Sequence, residues 1–184
     1  TNFPSGLTLN VLDGNSLTLK QAQLDKLDAR IEGVVVVSDT SAALGTLLDN
    51  AIPDSVQQIS LSSTGTLEIT FDQFRNLPNY YSADVVIYDT EDNIVNALKE
   101  DLLDDRVTTL VVTQQSTALG KEVGSTEVSA DDSSLTVTAA AASNILSKKV
   151  YSSTNYDSSS FNATAYLDIN IVDRGAAIAD FGEK

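Results

Sequence analysis

Two stretches of this chain carry the same residue pattern at a constant separation, and this internal repetition limits the possible folds more than any other feature. The segment VVVVSDTSAALGTLLDNAI contains Asp39, and DVVIYDTEDNIVNALKEDLL contains Asp89, 50 positions later. The same separation relates LTLKQAQLDKL, which begins at Leu17, to LEITFDQFRNL, which begins at Leu67. A period of this length is typical of arrays in which each unit buries its apolar face against its neighbours.

A third, more diverged copy follows the second. Leu135 opens LTVTAAAASNIL as Leu67 opens its own segment, and we align Asp157 with Asp89. The polar stretch TALGKEVGSTEVSADDSS lies between these copies and is interpreted as an inserted loop or hairpin. The predicted divisions are a cap or the end of a preceding unit (1–16), two repeat units (17–66 and 67–116), the inserted polar segment (117–134) and the diverged third unit (135–184).

Each unit is predicted to alternate short strands with short helices. Residues 34–37 form a continuous apolar run, which is typical of a strand buried on both faces. A stripe of apolar residues at helical spacing follows, and Pro53 is expected to end that helix. The members of the stripe are Leu44, Leu47, Leu48 and Ile52.

The starts of the shorter helices carry their own signal. Two T-x-x-Q sequences, which begin at Thr18 and Thr70, predict capping boxes directly after strand-like segments. Strands that alternate with helices favour parallel pairing through helical crossovers. The sequence therefore predicts an α/β fold, a repeat array of short strands alternating with short helices in a solenoid-like stack. A compact α+β sandwich of the same elements is the alternative.

Composition excludes several classes of function. The chain has 11 basic and 26 acidic residues and a net charge of −15, so it repels nucleic acid and anionic membranes. It contains neither His nor Cys, which excludes the His-dependent catalytic triads and the usual zinc ligand sets. The adjacent carboxylates Asp104 and Asp105 lie in a polar segment and are interpreted as solvated charge. We therefore predict no enzyme, no required cofactor and no membrane insertion.

Calcium is the one cofactor that the sequence leaves open. Asp39, Asp89 and Asp157 take the same place in each copy, at a turn where oxygen ligands for a hard cation converge. The alternative, which we favour, is that each aspartate caps a helix. Asp168-Ile169-Asn170 resembles a calcium loop, but its apolar alternation indicates a strand instead. The inserted segment offers one further calcium candidate, made up of Glu127, Asp131 and Asp132.

Two neighbouring aromatic residues are candidates for contact with a glycan or a partner. Tyr80 and Tyr81 follow a proline in a loop, and polar-tipped rings of this kind stack on sugars. The alternative, again favoured, is that the two rings pack inside the protein.

The repeat resembles a segment of very large bacterial secreted and cell-surface proteins, in which V-x-V-S-D-T-x-x-x-L-x-x-x-L-D-x-L alternates with L-T-L-T-x-x-Q. The stretches that carry the likeness are 34–49, 16–24 and 134–142. The second copy departs from the pattern, with Tyr88 in place of Ser, and the third lacks the leucine stripe. The resemblance implies a passive building block of a surface layer, adhesin or extracellular fibre.

Composition and resemblance together predict a structural or adhesive repeat segment of an extracellular surface protein. It would act by self-assembly or as a spacer, with itself or neighbouring subunits as partners. A virion structural protein, such as a phage tail fibre or decoration protein, is the first alternative, and a carbohydrate-binding module is the second. The chain contains no methionine, so we expect it to start after processing or to be part of a longer polypeptide.

Overall fold

The computed structural model describes residues 8–11, 15–27, 30–113, 134–145, 147–152, 156 and 168–171. The chain is a mixed α/β protein whose strands form parallel sheets connected by short helices. It divides into two compact units, Thr1–Asp84 and Val85–Lys184. This boundary falls inside the predicted second repeat unit.

The first unit contains two parallel sheets. One sheet pairs β1 with β3, and the other has the order β2-β4-β5. Its elements are β1 (Thr8–Asn10), β2 (Ser16–Leu19), α1 (Gln21–Leu24), β3 (Arg30–Glu32), β4 (Val34–Asp39), α2 (Ser41–Leu48), β5 (Val56–Leu61), β6 (Leu67–Ile69) and α3 (Phe71–Arg75).

The second unit repeats much of this order. Strands β7, β8 and β10 are parallel neighbours in the order β10-β8-β7, and β11 pairs with β9 in a separate parallel sheet. Its described elements are β7 (Val85–Asp89), α4 (Glu91–Lys99), β8 (Val107–Val112), β9 (Ser134–Val137), α5 (Ala139–Ser143), β10 (Lys149–Ser152) and β11 (Asp168–Ile171).

The two copies of the strand–helix–strand segment share an irregularity in their strand pairing. Val35 lies opposite Val56, but the next residue of β4 lies opposite Gln58, so that β5 contains one extra residue. The pairing of β7 with β8 shifts at the corresponding point, directly after Val85 and Val107. A bulge reorients the residues that follow it. Val56 and Ile59 are therefore both buried, although strict alternation would place them on opposite faces.

The apolar residues that define the repeat form the core of each unit. In the first unit, Val35, Val37 and Leu44 are fully buried. Val85, Ile87 and Ile94 occupy the corresponding positions of the second unit and are also fully buried. Each copy thus buries a thin aliphatic layer between a parallel sheet and one longer helix, as its alternation of strand and helix predicts.

A threonine caps every described helix except the first. In each case its hydroxyl accepts a hydrogen bond from the backbone N–H three residues later, which satisfies one of the free donors at a helix start. At Thr70 the capping box is complete, because Gln73 Oε1 also accepts from the Thr70 N–H at 3.0 Å. The four caps are Thr40, Thr70, Thr90 and Thr138.

Two predictions about helix ends are wrong. Thr18 lies inside β2 and caps nothing; helix α1 begins after Lys20, and Gln23 Oε1 accepts from the Lys20 N–H at 2.8 Å. Helix α2 ends at Leu48, well before Pro53, so Ile52 lies beyond the helix. Proline disfavours helical geometry only in the residue before it, here Ile52, so Pro53 is not what ends the helix at Leu48.

Candidate functional site

Asp39, at the end of β4, is buried with both of its carboxylate oxygens in hydrogen bonds. Oδ1 accepts from the Thr40 N–H at 2.9 Å, and Oδ2 accepts from the Gln21 N–H at 3.1 Å. Gln21 is the first residue of α1, so the carboxylate binds the N-terminus of a different helix from the one that follows it in sequence. A negative charge is favourable there because free N–H groups and the helix dipole converge.

Asp89 holds the corresponding position at the end of β7 and is equally buried, with 8% of its surface exposed in each case. Its Oδ1 accepts from the Thr90 N–H at 2.7 Å and from Asn93 Nδ2 at 2.8 Å. Both aspartates therefore act as buried acceptors for backbone and amide donors. Thr40 and Thr90, and not the aspartates, are the N-caps of the helices that follow.

The calcium hypothesis finds no set of candidate ligands among the residues that the structure describes. Within those residues no group of three or more acidic side chains is placed to hold a metal ion. Asp157, Glu127, Asp131 and Asp132 lie outside the described residues. Asp168–Ile171 forms strand β11, as its apolar alternation predicts.

The two candidate aromatic residues have different environments. Tyr81 is only 3% exposed and belongs to the core, whereas Tyr80 is 44% exposed. Burial raises the pKa of Tyr81, with a smaller contribution from the nearby Asp84 carboxylate, and partial burial raises the pKa of Tyr80. Only Tyr80 therefore offers a ring at the surface.

Tyr80 stands beside an open groove of about 470 Å³ along strand β5. One wall consists of residues 57–61, and the other is the loop of residues 80–83. The Tyr80 hydroxyl donates to the Val56 carbonyl at 2.9 Å, which holds this loop against the first residue of β5. The groove is shallow, its lining mixes polar and apolar side chains, and none of its lining residues is charged.

Lys148 makes the corresponding contact in the second unit. Its Nζ donates to the carbonyls of Val107, at 3.1 Å, and of Asp104, at 3.2 Å. Lys148 follows Tyr80 by the same separation that relates Leu135 to Leu67. A long polar side chain thus fastens the loop to the start of the neighbouring strand in both units.

Two asparagines make the clearest repeated contact. Asn76 Nδ2 donates to the Leu48 carbonyl at 2.8 Å, and Asn144 Nδ2 donates to the Leu98 carbonyl at 2.9 Å. Each asparagine ends a short helix, and each carbonyl lies in the last turn of the preceding long helix. The Leu48 carbonyl lies at the helix end, where intrahelical donors run out, and the Asn76 amide supplies a donor there. The Leu98 carbonyl also accepts from the Asp101 N–H at 3.3 Å, so the Asn144 amide adds a second donor.

An ion pair stabilises the turn before β8. Arg106 Nη2 lies 2.7 Å from Asp104 Oδ2, and the Arg106 N–H also donates to this carboxylate. Hydrogen bonds from Arg106 hold the pKa of Asp104 below its ordinary value, against the opposing effect of partial burial. Burial lowers the pKa of the Lys148 ammonium, although three nearby carboxylates oppose this shift: Asp105, Asp104 and Asp101.

Comparison with known protein families, characterised proteins and solved structures finds no match to this chain. No helix among the described residues is long and apolar enough to cross a membrane. The residues that the structure brings together are those that fasten one layer to the next. Sequence reasoning singled out Asp39 and Asp89 but missed Asn76 and Asn144. Their separation, equal to that of Leu67 and Leu135, was the available signal.

Proposed function

We propose that this chain is a non-catalytic structural segment of an extracellular surface protein, built as a solenoid-like stack and acting as a spacer or by self-assembly. The observation that carries the proposal is the repetition of the contacts between layers. The asparagine-to-carbonyl bond, the loop-fastening bond to the start of β5 or β8, and the strand-end aspartate all recur at corresponding positions.

The kind of residue used in these contacts supports a structural role. Asn76 and Asn144 are amides that satisfy backbone carbonyls, and Asp39 is a carboxylate that satisfies backbone N–H groups. Each of these bonds gives a polar group at a helix end a hydrogen-bond partner, which stabilises packing. Repeated fastening of this kind is what an array of nearest-neighbour layers needs for stability.

The acidic surface supports an extracellular or surface location. A net charge of −15 keeps chains soluble and apart at low salt, and ions of the medium screen this repulsion. The proposal requires no bound calcium, because Asp39 and Asp89 already accept hydrogen bonds from the protein.

Two measurements test the proposed function. Small-angle X-ray scattering of the monomer is expected to give a radius of gyration clearly above about 16 Å, the value for a compact chain of 184 residues. Protease treatment of intact source cells is expected to release fragments of this chain. A radius at the compact value would contradict the stack, recovery only from the cell interior would contradict the surface location, and recovery from purified virus particles would favour a virion protein.

The exposed ring of Tyr80 beside its groove keeps a carbohydrate-binding module as a second candidate. A glycan array decides between the two. Binding that disappears in Tyr80→Ala and survives in Tyr80→Phe would favour the carbohydrate module, because phenylalanine keeps the stacking face and loses only the bond to Val56.

A further inference from the structure

We propose that the outer edge of β5 binds an extended, parallel peptide segment of a partner protein in the groove between β5 and residues 80–83. The inference goes beyond the structural function proposed above and does not depend on it. It follows from a comparison of β5 with β8, which has the same place in the second unit. The outer edge of β8 carries a strand, and the outer edge of β5 carries none among the described residues.

Two residues of β5 direct their backbone groups away from β4. The Ser62 N–H, directly after β5, donates to the Asp39 carbonyl at 2.9 Å, so the backbone of Ser62 faces β4. Successive residues of a strand direct their N–H and C=O groups to opposite edges. The backbone groups of Ser60 therefore face β4 as well, and those of Ile59 and Leu61 face the outer edge.

The corresponding backbone groups of β8 face a neighbouring strand. The Thr113 N–H donates to the last residue of β7 at 2.8 Å, so the same alternation turns Leu110 and Val112 away from β7. Strand β10 runs parallel to β8 along this edge, with Val150 opposite Leu110. The edge that β10 covers in the second unit is thus the edge that is open in the described part of the first.

The two edges begin alike and then differ. The Val56 carbonyl accepts from the Tyr80 hydroxyl at 2.9 Å, as the Val107 carbonyl accepts from Lys148 Nζ at 3.1 Å. Past this point β8 pairs with β10, whereas residues 80–83, across the groove from β5, form no strand. Within the described part of the chain, β4 is the only strand paired with β5. The groove of about 470 Å³ therefore lies where β10 lies in the second unit.

Side-chain exposure follows the same difference. Thr109 and Val111 of β8 are buried. Gln58 and Ser60, which precede them by 51 positions, are exposed and half-buried respectively. A neighbouring strand covers side chains on both faces of a sheet edge, so β5 shows the exposure expected of a strand whose neighbour is missing.

The edge and the groove indicate the chemistry of the segment. The register of β8 with β10 places one of its residues opposite Ile59, which is buried, and the counterpart Val150 is apolar and buried. The residue two positions later lies opposite Leu61, where β10 has Ser152. None of the residues that line the groove is charged, and a net charge of −15 repels acidic peptides. We therefore expect an uncharged or basic segment with valine or isoleucine at its centre, bound mainly through its backbone.

A labelled peptide of the sequence SKKVYSST tests the site. This is the sequence of residues 147–154, which includes β10. We expect saturable binding to the full chain, measured by fluorescence polarisation. A scrambled peptide of the same composition controls for attraction between the two lysines and the acidic protein. No saturable binding up to about 1 mM peptide, or equal binding of the scrambled peptide, would overturn the proposal.

A proline in β5 locates the binding site. Leu61→Pro removes one outward N–H and keeps those that donate to β4, so we expect binding at least about 10-fold weaker. Leu61→Ala, which keeps the N–H and loses only the side chain, is the matched control and is expected to weaken binding by less than about threefold. Circular dichroism shows whether each variant is folded. Unchanged binding to Leu61→Pro would place the peptide elsewhere, for example at β8 in exchange for β10, and would contradict the proposed site.

Methylated peptides test the register without altering the protein, and they decide if Leu61→Pro unfolds. In the register of β8 with β10, the N–H of the peptide's tyrosine donates to the strand, whereas that of its valine points away. N-methylation of the tyrosine is expected to weaken binding at least about 10-fold. N-methylation of the valine is the matched control, with a much smaller effect expected. Equal weakening by the two methyl groups would overturn the parallel pairing.

Two other occupants of the groove would give different results. A second copy of this chain would appear as oligomers of the wild type that become monomers in Leu61→Pro, together with no binding of the peptide. A carbohydrate ligand would appear as binding on the glycan array, again together with no binding of the peptide. Either combination would overturn the assignment of a peptide segment to this edge.

Discussion

Asn144 and Leu98, 46 residues apart in sequence, are joined by a hydrogen bond of 2.9 Å from the side-chain amide to the carbonyl. Asn76 and Leu48 are joined in the same way in the first unit. In both cases a short helix is attached to the end of the preceding long helix, whose last carbonyls lack intrahelical partners. These two bonds connect each copy to its predecessor and are the most direct target for mutation.

We expect Asn76→Ala and Asn144→Ala each to lower the free energy of unfolding by about 1–2 kcal/mol. The reason is that the Leu48 carbonyl loses its side-chain donor in a part-buried site, and the Leu98 carbonyl keeps only the longer bond from the Asp101 N–H at 3.3 Å. Urea denaturation measures the loss. Asn96→Ala, at an exposed position of α4, is the matched control and is expected to change stability by less than about 0.5 kcal/mol. Similar losses in all three variants would show that the asparagine-to-carbonyl hydrogen bonds contribute nothing to the free energy of unfolding beyond the general effect of replacing an asparagine.

Lys20→Thr is expected to stabilise the protein by about 0.5–1 kcal/mol. Lys20 occupies the N-cap of α1 but supplies no side-chain acceptor, whereas Thr70 does so in the same arrangement with Gln73. Threonine at position 20 would complete a capping box with Gln23. A thermal melt measures the gain, and Lys26→Thr, beyond the end of the helix, is the control. A lower melting temperature in Lys20→Thr would contradict the assignment of this cap.

Asp39→Asn is expected to lower the free energy of unfolding by about 1–3 kcal/mol, because an amide offers only one acceptor where two N–H groups now donate. We expect the same loss with calcium present and after chelation. Asp54→Asn, in the exposed turn before β5, is the control. If the wild-type melting temperature falls on chelation and that of Asp39→Asn does not, Asp39 contributes to a calcium site after all.

Arg106→Gln is expected to raise the pKa of Asp104 toward its ordinary value, because hydrogen bonds from Arg106 are the main cause of the depression. A carboxyl whose pKa is lower in the folded state stabilises the fold at pH values above its unfolded pKa of about 4. This stabilisation is lost as the pH falls through the depressed folded value. Titration of the Asp104 carboxyl by NMR measures the shift directly.

The same variant tests the pH dependence of stability. The difference in melting temperature between wild type and Arg106→Gln is expected to be constant above about pH 5 and to shrink toward lower pH. Arg75→Gln, at the exposed end of α3, controls for the loss of one positive charge. A difference that grows on acidification would reverse the sign and contradict the assigned role of the ion pair.

Much of this fold is predictable from the sequence, because its repeat places the same apolar residues in each layer. The strand at 34–39, the buried stripe of α2 and the strand at 168–171 all follow from local hydrophobic patterns. The helix starts are less certain from local motifs alone. The T-x-x-Q match at Thr18 predicts a cap two residues too early, whereas the 50-residue spacing places Lys20, the observed N-cap, on Thr70.

The contacts between layers are not predictable from local patterns. Asn76 and Asn144 look like ordinary polar residues at the ends of helices, and the bonds that they make reach 28 and 46 residues back along the chain. The third copy poses a similar difficulty, since Asp157 lies outside the described residues and its alignment with Asp89 stays a prediction. Strand β11 pairs with β9 in parallel, as β4 pairs with β2, and no local pattern predicts that pairing.

The hydrogen bonds from Asn76 and Asn144 to helix-end carbonyls have a consequence for how such a chain lengthens during evolution. The second repeat contains one half of each bond. Its Asn76 amide donates to the Leu48 carbonyl of the repeat before it, and its Leu98 carbonyl accepts from Asn144 of the repeat after it. A duplicated gene segment therefore encodes both the donor and the acceptor that link one repeat to the next. Tandem duplication can lengthen the protein without inventing a new interface, and loss of a whole copy leaves the remaining neighbours with matching ends.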